Sequence, residues 1–278
     1  MSARQASGRA EIRLIEASFT DDGYLDTGVS SVLLRQVSNG EAGAAIRLHR
    51  TGPILAFGRL DRLRPGYRRA VELARAHGYE PVERLAGGRA AVFHEGTISF
   101  SHVVPTAAVP GAYRGTRERF TAMAETMAAA LGELAVDARI GEVSGEYCPG
   151  EFSVNARGEA KLAGVGQRVL AGGAHVGGVV VVRGAGRIRA VLEPIYEALE
   201  LDWHPATTGS VALEIGDDDE TIPNDRPDPL IERTMAALRT TLSRTYDLIP
   251  TTLDETTLAL AGNLAPTHQP RVGPGRAR

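Results

Sequence analysis

Ala160-Lys161-Leu162-Ala163-Gly164-Val165-Gly166-Gln167-Arg168, with Gly145-Glu146-Tyr147-Cys148-Pro149-Gly150 upstream of it, is the stretch that decides how this chain reads. Among 31 lysine and arginine residues Lys161 is the one lysine, and Cys148 is the one cysteine in 278 residues. A chain that writes every other long basic side chain as arginine keeps an ammonium where a compact cation with a movable pKa does what a planar guanidinium does not. A thiol is the strongest common side-chain nucleophile, partly ionised near neutrality without help. Together they point to covalent acyl transfer. The plainer alternatives are a small buried hydrophobe for Cys148 and a solvated charge for Lys161. Pro149 and Gly150 set Cys148 at a turn, with an extended conformation expected for the residue before proline.

Outward from this stretch, the middle of the chain reads as an antiparallel meander. Strands are expected over 151–158, 160–170 and 175–183, with turns at Arg157–Gly158 and Gly172–Gly173. Upstream, residues 20–39 read as a helix with Thr20 as N-cap. Strands follow over 44–50 and 53–59, a helix from Pro65 to Gly78, and strands over 81–88 and 89–104. In residues 117–134, Phe120, Met123, Met127 and Leu131 line one helical face, better read as core filler than as a ligand stripe. Helices over 188–199 and from Pro229 to about Tyr246 complete the pattern. The fold class expected is α+β, a mixed and largely antiparallel sheet flanked by helices. The domain spans 11–250 with its core at about 20–205, after a loose leader over 1–10 and before a tail, 263–278, whose composition reads as disordered.

A net charge of −3 and a pI near 6.2 offer no basic stripe for nucleic acid, while acidic carrier proteins stay open as partners if arginines cluster. A single cysteine closes no internal disulfide, no apolar run reaches a membrane span, and no metal-ligand spacing is present. A cytoplasmic protein without membrane partners, metal or cofactor is expected. A second constellation lies in Arg84-Leu85-Ala86-Gly87-Gly88-Arg89: paired glycines bring backbone amides close to a ligand, and arginines contact a carboxylate or phosphate. Its plain alternative is a hairpin or bulge. His94 and His175 are candidate proton shuttles, or simply polar strand residues.

Arg84, Gly87, Gly88, the strand carrying His94 and the segment Lys161–Arg168 together resemble the lipoate–protein ligase A and octanoyltransferase superfamily, which shares its catalytic fold with biotin protein ligases. The resemblance covers about residues 20–205. It implies a biotin/lipoate ligase-like domain in which Lys161 contacts the acyl carbonyl, while Gly87 and Gly88 line the acyl pocket with Arg84 and Gly164. Ligases of this superfamily show a third glycine where this chain has Arg89, and most of its cysteine-dependent octanoyltransferases place the cysteine after the lysine. A cysteine before the lysine is similar to the octanoyl-[glycine-cleavage H protein]:protein N-octanoyltransferases. That implies a Cys148 thioester, octanoylated H protein as donor and the lipoyl domains of 2-oxoacid dehydrogenase E2 subunits as acceptors, without ATP. The other readings are an octanoyl-carrier-protein:protein octanoyltransferase, an ATP-dependent lipoate–protein ligase and a non-catalytic acyl-binding or scaffold protein.

Overall fold

The computed structural model describes residues 8–106, 115–223 and 227–272. Its elements, in chain order, are β1 (Ala10–Ile15), α1 (Gly23–Ser38), β2 (Ala45–Arg50), β3 (Ile54–Phe57), α2 (Tyr67–Ala76), β4 (Glu80–Glu83), β5 (Ala91–Phe93) and β6 (Thr97–Pro105). Then come α3 (Thr116–Gly132), β7 (Ala138–Ile140), β8 (Val154–Ala156), β9 (Ala160–Val169), β10 (Gly173–Val181) and α4 (Ala185–Ala198). The last are α5 (Val211–Ile215), α6 (Pro229–Ser243), β11 (Tyr246–Pro250) and α7 (Glu255–Leu264). The large sheet runs β11-β1-β2-β6-β10-β9-β8-β7, and a small one runs β4-β3-β5. β1 pairs in parallel with β11 and β2, and the remaining pairs of the large sheet are antiparallel. The expected mixed, largely antiparallel α+β architecture is the one observed.

Period-two alternation divides the large sheet into two different faces. Ile46, Leu48, Ile98, Phe100, Val176 and Val180 turn one way, into a core shared with Met123, Met127 and Leu131 of α3 and Leu238 of α6. Their neighbours Arg47, His49, Ser99, Ser101, His175 and Gly177 turn the other way, towards α1 and the small sheet. That face carries little apolar bulk, and the cavities lie there. Phe120 leaves the α3 core stripe and stacks on Phe152, with ring centroids 5.1 Å apart.

Several expectations need correction. The cap of α1 is Asp22, whose carboxylate accepts the Leu25 amide at 2.8 Å, not Thr20. The last expected helix stops at Ser243, and Tyr246–Pro250 instead adds a parallel strand beside β1. The leader expected over 1–10 lies outside the described residues up to 7, and Ala10 already belongs to β1. The tail expected over 263–278 is ordered through Val272, and residues 273–278 lie outside the described residues. Its order comes from contact: α7 packs on α1, and His268 is buried with Nε2 2.9 Å from the Ser31 hydroxyl and Nδ1 2.9 Å from the Glu83 carbonyl oxygen. The packed unit therefore extends beyond residue 250.

Candidate functional site

Cys148 sits in the turn before β8 with φ +45°, in the left-handed region and not extended as the following proline led one to expect. Such a conformation costs about 1–3 kcal/mol for a residue other than glycine and persists when its surroundings over-determine it. Here they do. The Cys148 amide donates to Tyr196 Oη of α4 at 2.8 Å, and that hydroxyl donates to the Ala90 carbonyl at 3.0 Å. The Cys148 carbonyl accepts from Lys161 Nζ at 2.7 Å.

Lys161 is buried, 1% exposed. Its ammonium spends its other donors on Glu146 Oε1 at 2.9 Å and the Tyr147 carbonyl at 3.0 Å. Glu146 in turn accepts from the Val143 amide, the Gly150 amide and the Ser153 hydroxyl, at 3.1, 3.1 and 2.5 Å. The lysine thus clamps the Cys148 turn through a buried ion pair, which is neither the solvated charge nor simply the carbonyl contact anticipated. Strict alternation would place Lys161 and Gly164 on opposite faces of β9. The register against β8 shifts between Val154 and Asn155, so that Leu162 is an extra residue on β9. This bulge re-aims Lys161 onto the face of Gly164, whose Cβ position would lie 3.4 Å from Lys161 Cε.

The sulfur is held from the Arg84–Arg89 loop. Cys148 Sγ accepts from Arg84 Nη2 and from the Arg89 amide, both at 3.2 Å. Gly88 has φ +105°, and a Cβ there would stand 2.8 Å from Sγ, so the close approach requires glycine. Gly87 has open space at its Cβ position. Arg84 donates to the Arg89 carbonyl at 2.6 Å. Buried Asp61 accepts the Gly58 amide at 2.8 Å and lies 3.6 Å from Arg89 Nη1. Burial pushes the Cys148 thiol up; the charges of Arg84 and Lys161, with the hydrogen bonds from Arg84 and the Arg89 amide, outweigh it and bring the thiol below its ordinary value.

A cavity of about 380 Å³ opens at Cys148, lined by Arg84, Gly87, Gly88, Lys161, Gly164, Gly166 and Phe93 among others. The glycines of β9 face Val179 and Gly177 of β10 in register, leaving the sheet surface bare beneath the thiol. A smaller space of about 90 Å³ shares Arg84, Phe93, Gly177 and Gly178 with it and continues towards His49, Ser101 and His175.

The structure therefore gathers Cys148, Lys161, Arg84, Gly87, Gly88 and Gly164 around one cavity, and leaves both histidines out of its lining. His94 is fully buried under the β5–β6 turn, its Nδ1 accepting the Gly96 amide at 3.0 Å. His175 lines the smaller space. Burial lowers His94 to about 3. Burial first, and then the neighbouring charges of Arg47, His49 and His102, lower His175 to about 4. Neither suits proton transfer near neutrality, which a shuttle with a pKa near the working pH performs. Sequence reasoning missed Glu146, Tyr196, Asp61 and the Arg89 amide. A carboxylate two residues before the cysteine was a legible hint for Glu146, whereas Tyr196 carried none. Among the described residues no group of three or more His, Cys, Asp or Glu side chains is placed to hold a metal ion, and no helix is long and apolar enough to cross a membrane.

The mixed sheet flanked by helices is a fold shared with solved lipoate-protein ligases. A solved lipoate-protein ligase A bound with ATP superposes with a TM-score of 0.69 at 19% identity, covering 92% of this chain and 94% of that one. A bi-partite lipoate protein ligase from Thermoplasma acidophilum gives 0.66 at 18% identity over 92% of both chains. The model of the lipoyl protein ligase A/B catalytic domain matches residues 22–202, and the chain belongs to that family. It is 31% identical over 168 residues to an octanoyl-[GcvH]:protein N-octanoyltransferase of Geobacillus kaustophilus, covering 59% of this chain and 56% of that protein. It is 33% identical over 150 residues to the enzyme of the same name from Exiguobacterium sibiricum, covering 54% and 53%. The chain spans about half the length of the curated relatives it matches.

Proposed function

We propose that this protein is an acyltransferase that moves an octanoyl group from the lysine of octanoylated glycine-cleavage H protein to the lysine of E2 lipoyl domains, through a thioester on Cys148. The observation that carries the reading is the sulfur held between Arg84 and the Arg89 amide at the mouth of a cavity bared by glycines. The names of the relatives support octanoyl transfer with the H protein as donor. A structure that pairs a lipoate protein ligase with its E2 lipoyl domain supports the acceptor.

In the forward step the Cys148 thiolate attacks the octanoyl amide carbonyl, the C–N bond breaks, and the proton released by the thiol ends on the departing lysine amine. The acceptor amine then attacks the thioester, the C–S bond breaks, and the amine's proton leaves as the thiolate returns. One amide replaces another, so no nucleotide is consumed. The oxyanion formed in each step is stabilised by the neighbouring cation of Arg84, with Lys161, whose three donors are already engaged, adding its charge; stabilisation of this kind is worth about 3 kcal/mol in a site closed to water. The thiolate is prepared by fixed charges, so the first step needs no histidine.

The test mixes the protein with octanoylated H protein in nucleotide-free buffer and follows intact mass. One octanoyl adduct, removable by hydroxylamine and absent in Cys148→Ala, is expected. Full transfer by Cys148→Ala would remove the thioester, and strict dependence on ATP with free octanoate or lipoate would make the protein a ligase.

A further inference from the structure

A second cleft, of about 460 Å³, meets the Cys148 cavity at Arg84. Its charge is one-sided. Arg35, Arg59, Arg62, Arg84, Arg168 and Arg271 line it, and among the described residues Glu83 is the one carboxylate in its wall. Glu83 is already engaged, by Arg62 Nη1 and Tyr67 Oη at 3.2 Å and by the Arg271 amide at 2.9 Å. Six guanidiniums drawn together on a chain with a formal charge of −3 make a local field that attracts an anionic surface.

The rim of this cleft has a second property. The turn after β3 reads Gly58-Arg59-Leu60-Asp61-Arg62-Leu63, and its Asp61 is pinned inward by the Gly58 amide and by Arg89. Anchored there, the turn presents Leu60 and Leu63 outward at 54% and 74% exposure, the two most exposed large hydrophobic residues among those described. Arg59 and Arg62 are exposed beside them. Apolar side chains within a charged rim are what a protein–protein contact uses and what a small anion does not need. A phosphate ligand would be gripped by a few buried donors, whereas Arg35, Arg59, Arg62 and Arg271 are spread along an exposed surface.

We propose that the arginine cleft and the Gly58–Leu63 turn dock the protein substrate, a folded domain with an acidic surface and an apolar patch beside its modified lysine, which then reaches Cys148 past Arg84. The proposal rests on the acyltransferase reading and adds to it the surface that selects the carrier.

The test compares wild type with an Arg59→Glu/Leu63→Asp double variant and with Arg271→Glu, all exposed positions. Acylation of Cys148 by the small thioester octanoyl-N-acetylcysteamine, read by intact mass, stays at the wild-type rate. Transfer from octanoylated H protein loses about tenfold or more in kcat/KM, and in wild type it weakens with salt as the Debye length shortens to about 8 Å near 0.15 M. H-protein affinity for the Cys148→Ala variant, read by fluorescence anisotropy, falls in parallel when the charge reversals are added. Unchanged affinity and unchanged transfer in the variants overturn the docking surface. So does a loss confined to ATP or pyrophosphate binding, which assigns the cleft to a phosphate ligand. If octanoyl reaches Cys148 from neither donor, the acyltransferase reading fails, and the affinity measurement still decides the docking surface.

Discussion

Arg84 is the residue on which the reactivity of Cys148 turns. Its guanidinium is the leading charge opposing the effect of burial on the thiol and donates directly to sulfur. Arg84→Gln keeps a donor and removes the charge, so the iodoacetamide alkylation profile moves to higher pH and the rate near neutrality falls about tenfold. An unchanged profile in a folded variant would sink this account. Lys161 presents a different balance. Its singularity in the sequence predicts that Lys161→Arg costs transfer and leaves folding untouched, but burial revises the second half. A wider head group in a site 1% exposed costs about 1–3 kcal/mol of overpacking. Lys161→Met strands the Glu146 carboxylate, and removing one partner of a buried pair costs about 3–5 kcal/mol. Urea unfolding measures both; wild-type stability of Lys161→Met would show that the clamp holds nothing.

At the scale of elements, two features do not follow from local propensity, one at the site and one remote from it. The bulge in β9 carries Lys161 to the cavity face, and the contact of α1 with α7 seats the helix that leads into the segment from residue 263, whose composition reads as disordered. That contact turns on Gly28, inside α1, where a Cβ would come 2.6 Å from the Ala261 carbonyl oxygen of α7. Replacing a helical glycine by alanine gains about 1 kcal/mol of propensity. Pressing a methyl group into a packed backbone costs about 1–3 kcal/mol. The clash wins: Gly28→Ala is expected to lower the urea midpoint and to speed proteolysis after residue 252. A stabilised variant would mean that α7 is not tightly seated.

For the whole molecule, the buried histidines govern acid stability. His94 is held at about 3 and His102 and His175 at about 4, below the ordinary value of 6.5, and burial lowers His49 and His268 as well. The unfolded chain takes up protons near pH 6.5 that the folded chain refuses, so stability is fully present above that pH. It is lost as pH falls towards about 4 for His102 and His175 and on towards about 3 for His94. Each such proton bound on unfolding adds about 1.4 kcal/mol per pH unit to the slope near pH 5. Urea unfolding at pH 7, 6 and 5 checks this, and His94→Gln is expected to lower the slope by about that one-proton share. A flat profile over that range would contradict the burial of these rings.

What the amino-acid sequence determined by itself was the meander carrying Lys161, the amphipathic α3, the glycine loop at Arg84–Arg89, and the pairing of a lone thiol with a lone ammonium. These are patterns of local period and residue scarcity, legible without neighbours. Tertiary structure alone decided that Arg84 and the Arg89 amide meet sulfur, that Glu146 absorbs the charge of Lys161, that Tyr196 fixes the Cys148 backbone and that His94 and His175 stand outside the cavity. Each of these depends on strand register or on contacts between segments far apart in the chain. A one-residue shift of register reverses the face a side chain presents, and no local pattern in a sequence records it.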